Sequence, residues 1–261
     1  MNSCLVPRHI APIAIVAMLA AAPFIRAGTN SDSISIHFGA EQPASLGGSM
    51  LAATDVAGVV PSANWNNTTT HGGVLAGLVR DTNGVATTTN ATVVWEAWAT
   101  FSSLGNGESN NNFDPSTADY TLMLGYLDPQ KGAPAGGTMD DPAPTIVLIT
   151  HLPSDMAAGT YDVYLYGLGG RSNRGGQYTV NSAGPLYLVA GGDTDNGPDT
   201  GLNGYVPAKG DDPAYGPNDF GNYLLFPGQT GSAITITATN YFSGFDSHPR
   251  APLNAVQIVV H

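Results

Sequence analysis

Short runs of alternating apolar and polar residues, cut at roughly ten-residue intervals by turn-forming residues, constrain this chain more than any other feature. Ser33-Ile34-Ser35-Ile36-His37-Phe38 puts Ile34, Ile36 and Phe38 on one face of a strand. Val74 to Arg80 reads as a second strand, and Asp81-Thr82-Asn83-Gly84 after it is a turn signal. Thr87 to Phe101 is the longest run; Ala91, Val93, Trp95, Ala97, Ala99 and Phe101 share one face, Thr92, Val94, Glu96, Trp98 and Thr100 the other. Further strands are expected at Tyr120 to Leu127, Thr145 to His151, Thr160 to Gly167, Asn222 to Phe226, Ser232 to Thr239 and Ala255 to Val260. Gln177 to Asn181 and Leu186 to Val189 read as a hairpin across Ser182-Ala183-Gly184. The total is about eleven strands, with no helical periodicity outside the first 27 residues. The fold class predicted is all-β, a β-sandwich of jelly-roll or galactose-binding-like form with long acidic loops at 106–119, 128–144 and 191–218.

Residues 1–27 follow a different rule. Arg8 and His9 precede an apolar stretch from Ile10 to Ile25, and Ala27 marks a cleavage position, so this segment reads as a secretory signal peptide. The remaining 28–261 form a single domain, secreted to the extracellular space or the periplasm and not membrane-bound after cleavage. Cys4 is the only cysteine and falls in that leader, so the domain must rely on its core and not on disulfides. Eight basic residues stand against 20 acidic ones, a net charge of −12. Such a surface repels phosphate backbones and anionic lipid, which excludes nucleic acid as a partner. Nor does any phosphate-cradling motif suggest a nucleotide.

Four groups of residues carry possible chemistry. Trp65 lies among Asn64, Asn66 and Asn67, and an aromatic ring flanked by amides suits a sugar with apolar faces and hydroxyl edges. The alternative is that Trp65 plugs one end of the fold while the asparagines make turns. Trp98, Tyr164 and Tyr166 form a second candidate platform. Glu96, between Trp95 and Trp98, is the candidate catalytic acid, because burial against aromatics raises a carboxyl pKa; glycoside hydrolysis would require a second carboxylate. Asp193, Asp195, Asp199, Asp211 and Asp212 lie in one turn-rich loop and could surround a structural Ca²⁺ with oxygen ligands, or simply be a solvated loop.

Several phrases taken together resemble a known family: Leu51 to Pro61 running into Asn64-Trp65-Asn66-Asn67, Leu122 to Asp128, Gly159 to Tyr166, Gly221 to Phe226 and Asn254 to Val259. The chain resembles exported bacterial β-sandwich proteins that often carry a PEP-CTERM-type sorting tail, a tail not seen before His261 here. That resemblance implies a jelly-roll, galactose-binding-like fold and no particular reaction. The function expected is that of a secreted, non-catalytic protein binding a polysaccharide or cell-surface glycan, or mediating contacts at the cell surface. The alternatives are an extracellular carbohydrate-active enzyme, either glycoside hydrolase or polysaccharide lyase, and a structural matrix protein.

Overall fold

The computed structural model describes residues 31–40, 50–104, 111, 113–129, 143–170, 174–190, 204–211, 220–241 and 250–260. The signal peptide expected at 1–27 lies outside them. Their architecture is all-β. In chain order the first strands are β1 (Asp32–Phe38), β2 (Asn66–Thr68), β3 (Gly72–Ala76), β4 (Val79–Thr82), β5 (Val85–Thr88), β6 (Thr92–Glu96) and β7 (Ala99–Ser102). After helix α1 (Ala118–Leu122) come β8 (Gly125–Asp128) and β9 (Thr145–Thr150); after α2 (Ser154–Ala158) come β10 (Tyr161–Tyr166), β11 (Arg174–Val180) and β12 (Ala183–Ala190). The last four are β13 (Phe220–Gly221), β14 (Tyr223–Gln229), β15 (Ile234–Asn240) and β16 (Ala255–Val260).

One sheet runs β14-β10-β16-β1-β4-β5, with β2 added in parallel to β1. A second runs β13-β12-β11-β15-β9-β6-β3, and β7 pairs with β8 in a separate ribbon. The two large sheets bury a common core. Ile34, Ile36, Val163, Leu165, Val256 and Ile258 come from the first, Val93, Val147, Ile149, Ile234 and Ile236 from the second, all essentially inaccessible. Phe38 of the first sheet meets Trp95 of the second at a centroid distance of 6.2 Å. The alternation read from β1 and β6 is thus the alternation of the core.

Sixteen strands appear among the described residues, more than the eleven expected, because two long runs are subdivided and the short β2 and β13 fall outside every expected run. The run Val74 to Arg80 is two strands in different sheets. Gly77 sits between them at φ +70°, a left-handed conformation that costs a residue with a Cβ about 1–2 kcal/mol, and here the chain passes from one sheet to the other. Asn83 and Gly84 (φ +56° and +84°) make the expected tight turn from β4 to β5. The chain then crosses back before β6, held where the Leu78 N–H bonds to the Ala91 carbonyl at 3.0 Å and the Thr89 hydroxyl to the Leu78 carbonyl at 2.7 Å. The run Thr87 to Phe101 becomes β5, β6 and β7. Tyr120 to Leu127 is also corrected: its first half is the end of α1, started by the Thr117 hydroxyl accepting from the Tyr120 N–H.

The outward face of β1 carries Ser33, Ser35 and His37, all buried. They are covered by the segment 50–68 and by α1, which pack a second apolar cluster, including Leu51, Trp65, Leu122, Met123 and Tyr166, onto that sheet. No helix among the described residues is long and apolar enough to cross a membrane.

Candidate functional site

The Asn-Trp-Asn-Asn phrase belongs to this cover. Trp65 is 5% exposed, its indole N–H donates to the Ser62 carbonyl at 2.9 Å, and its ring meets Tyr166 edge-on at 6.2 Å. A ring so placed offers no flat face to a sugar. Asn66 donates to the carbonyls of Ser35 and Val79 and accepts from the Val79 N–H, all at 2.7–2.9 Å. Asn64, at φ +56°, donates to Asp81 at 2.6 Å. Asn67 donates to the carbonyls of Leu51 and Trp65, so its oxygen is the acceptor for the Leu51 N–H and for His37 Nδ1–H. These amides replace the hydrogen bonds that β1, β2 and β4 would otherwise leave unmade in a covered interior. The physical result is the plug, and the expectation of a sugar platform at Asn64, Trp65 and Asn66 is corrected accordingly.

Tyr166 is equally inaccessible. Its hydroxyl donates to Gln257 Oε1 at 2.7 Å and accepts from the Val59 N–H at 2.8 Å, and burial holds its pKa well above the ordinary value. Tyr205 donates to Asp119 at 2.8 Å beside it, and Gly58 N–H donates to the same carboxylate oxygen at 3.0 Å. Tyr164 is half-buried, 6.2 Å from the Tyr223 ring. Tyr164 and Tyr166 belong to the first sheet, whereas Trp98 follows β6 in the second, so they make no common platform with it.

The structure does unite Glu96 and Trp98. Along β6 the inward residues are Val93 and Trp95, and Val94 and Glu96 point outward. Trp95 therefore packs away from Glu96: its N–H is bonded to the Thr70 carbonyl at 2.9 Å, and its ring fills the space over Gly73, where a Cβ would come within 2.9 Å of it. Glu96 is exposed, so the burial against aromatics expected of it is not found. The chain leaves the sheet just after it. Ala97 N–H still bonds back to the His71 carbonyl at 2.8 Å, but Trp98 N–H bonds to the Asp128 carbonyl in β8 at 3.1 Å. That switch stands the Trp98 side chain at the end of the outer sheet face, 50% exposed.

Trp98 is clamped in this position. The Arg250 guanidinium carbon lies 5.2 Å from its ring centroid, and the Phe101 ring is 6.0 Å away. Arg250, 9% exposed, is in turn fixed by Asp128 at 3.2 Å and by the Pro129 carbonyl at 3.3 Å. A cation over one face of an indole is worth about 0.5–2 kcal/mol and costs the ring its rotational freedom in advance of any ligand.

Around these residues runs a groove of about 850 Å³ on the outside of β3, β6 and β9, lined by His71, Gly72, Val74, Val94, Glu96, Trp98 and Ile146 among others. Val74, Val94 and Ile146 are 65%, 40% and 43% exposed, so its floor is an apolar strip. The register explains the gathering: Gly72, Glu96 and Ile146 form one cross-strand row, Val74, Val94 and Leu148 the next. His71, Val74 and Ile146 were missed in the sequence because no local spacing ties residue 146 to residue 96; Arg250 was missed because its partners are more than a hundred residues away. Among the described residues no second carboxylate lines the groove.

Asp193, Asp195, Asp199 and Asp212 lie outside the described residues. Asp211 is exposed and paired with Lys209 at 2.7 Å, and no group of three potential metal ligands occurs among the described residues. Compared with protein-family models, curated proteins and solved structures, the chain has no match.

Proposed function

We propose that this chain is an exported β-sandwich of jelly-roll, galactose-binding-like type that binds carbohydrate, without catalysis, on the outer face of β3, β6 and β9. The observation that carries this reading is the half-exposed Trp98 ring, backed by Arg250 and standing over an open groove. A sugar ring has an apolar face that stacks on an indole and hydroxyl edges that bond to a carboxylate such as Glu96. A groove laid along a sheet face suits a stretch of polymer. Two sheets sharing one core support the sandwich assignment, and the leader-like 1–27 supports a location outside the cytoplasm, as does the resemblance to exported bacterial proteins.

A pull-down of residues 28–261 on insoluble polysaccharides, with and without EDTA, tests the reading. Retention is expected for the wild type and a loss of at least about tenfold for Trp98→Ala, with the melting temperature preserved because the ring is half outside the core. A folded wild type that no glycan retains would end the proposal in favour of a structural matrix protein. EDTA sensitivity, followed by a Ca²⁺ titration, tests the separable proposal of calcium in the 193–212 loop.

A further inference from the structure

We infer that the groove selects a glycan bearing positively charged amines, such as a polymer containing unacetylated glucosamine, over neutral and uronate-containing ones. This inference rests on the carbohydrate-binding reading and concerns the charge of the ligand. Glu96 is exposed on the groove floor and has no ion-pair or hydrogen-bond partner among the described residues. Among the described residues no cation is free to offset it. Every lysine or arginine whose side chain is described is already committed to a carboxylate: Arg80 to Asp32 and Asp155, Lys209 to Asp211, Arg250 to Asp128. The guanidinium closest to the platform thus brings no uncompensated charge to it. Among the described lining residues His71 is the other ionisable side chain, and the molecule as a whole carries −12.

Among the described residues an incoming carboxylate would meet Glu96 with no unpaired cation beside it, and the net negative charge of the molecule at long range. An ammonium group on a sugar stacked against Trp98 would instead find a carboxylate with no competing partner. A single exposed pair of this kind contributes up to about 1 kcal/mol, a factor of about five in affinity. That is too little to bind alone but enough to rank ligands that share the same stacking and hydroxyl contacts.

The test is a titration calorimetry series on folded 28–261 at about pH 6 and low salt. It compares a glucosamine hexamer, an N-acetylglucosamine hexamer and a galacturonate oligomer of similar length, with spermine as a cation lacking sugar rings. The glucosamine hexamer should bind about fivefold more tightly than its acetylated counterpart, and the galacturonate most weakly. Glu96→Gln should abolish that preference, whatever the amide does to the affinity the two hexamers share. Salt at about 0.5 M should compress it in the wild type. Equal affinity for the two hexamers, or a preference that survives Glu96→Gln, overturns the inference and leaves carbohydrate binding intact. Spermine binding as tightly as the glucosamine hexamer also overturns it, since charge alone would then suffice. Failure of every oligomer to bind removes the carbohydrate reading itself.

Discussion

Trp65→Ala should cost the fold about 3–5 kcal/mol in urea unfolding, because it empties a packed site between Tyr166 and the 50–68 cover. Trp98→Ala should cost far less, and this contrast separates a plug from a platform. His37 supplies a pH-dependent counterpart. It is inaccessible, its Nδ1–H donates to Asn67 at 3.0 Å, and its Nε2 has no hydrogen-bond partner among the described residues. Burial lowers its pKa to about 4, with the Asn67 bond opposing weakly. The unfolded chain takes up a proton near the ordinary value of 6.5, whereas the folded chain does not until about 4. Stability from this group is therefore full above 6.5 and falls by about 3 kcal/mol as the pH drops to 4. Urea midpoints measured across that range, wild type against His37→Gln, should converge toward acid pH; parallel curves would contradict the assignment. At this scale the sequence was misleading in an instructive way. Trp65 and its asparagines have the composition of a sugar site, yet the same amides are what a covered strand needs to satisfy its carbonyls, and only the fold shows that the strand is covered.

Among the elements, the alternation of β1 and β6 was legible because one face of each packs apolar side chains into the common core, while the other carries Ser33, Ser35 and His37 in β1 and exposed residues in β6. The chain's changes of sheet were less legible. Val74 to Arg80 keeps its apolar character through Gly77, and only the left-handed φ reveals the crossing. Gly77→Ala should lower stability by about 1–2 kcal/mol through backbone strain alone, since an added Cβ meets nothing closer than 3.6 Å. Gly77→Asn should cost less, because asparagine tolerates that region better. Thermal unfolding of the two variants checks the order, and equal losses would point to packing instead. The start of α1 was hidden for another reason. Five residues are too few for a helical period to show, and the element is set by the Thr117 cap and by burial of Leu122 against the sheet. The groove was half legible: Glu96 and Trp98 could be read from β6, but the residues completing it arrive by pairing with β3 and β9.

In the whole molecule, the last strand takes a central place. β16 lies between β10 and β1, pairing with six residues of one and five of the other. Without it the first sheet falls into two separate pieces, and Val256 and Ile258 leave the core. A chain ended at residue 254 should therefore show no cooperative thermal transition and no dispersed amide spectrum, whereas removal of a peripheral strand such as β13 should leave both. β1 also meets its partner across more than 200 intervening residues, the sort of long-range closure that slows folding to milliseconds or longer. The first sheet consequently cannot be completed until residues 255–260 have been made. A ribosome that has made residues 32–254 has therefore delivered the parts of this sheet and not yet the piece that joins them.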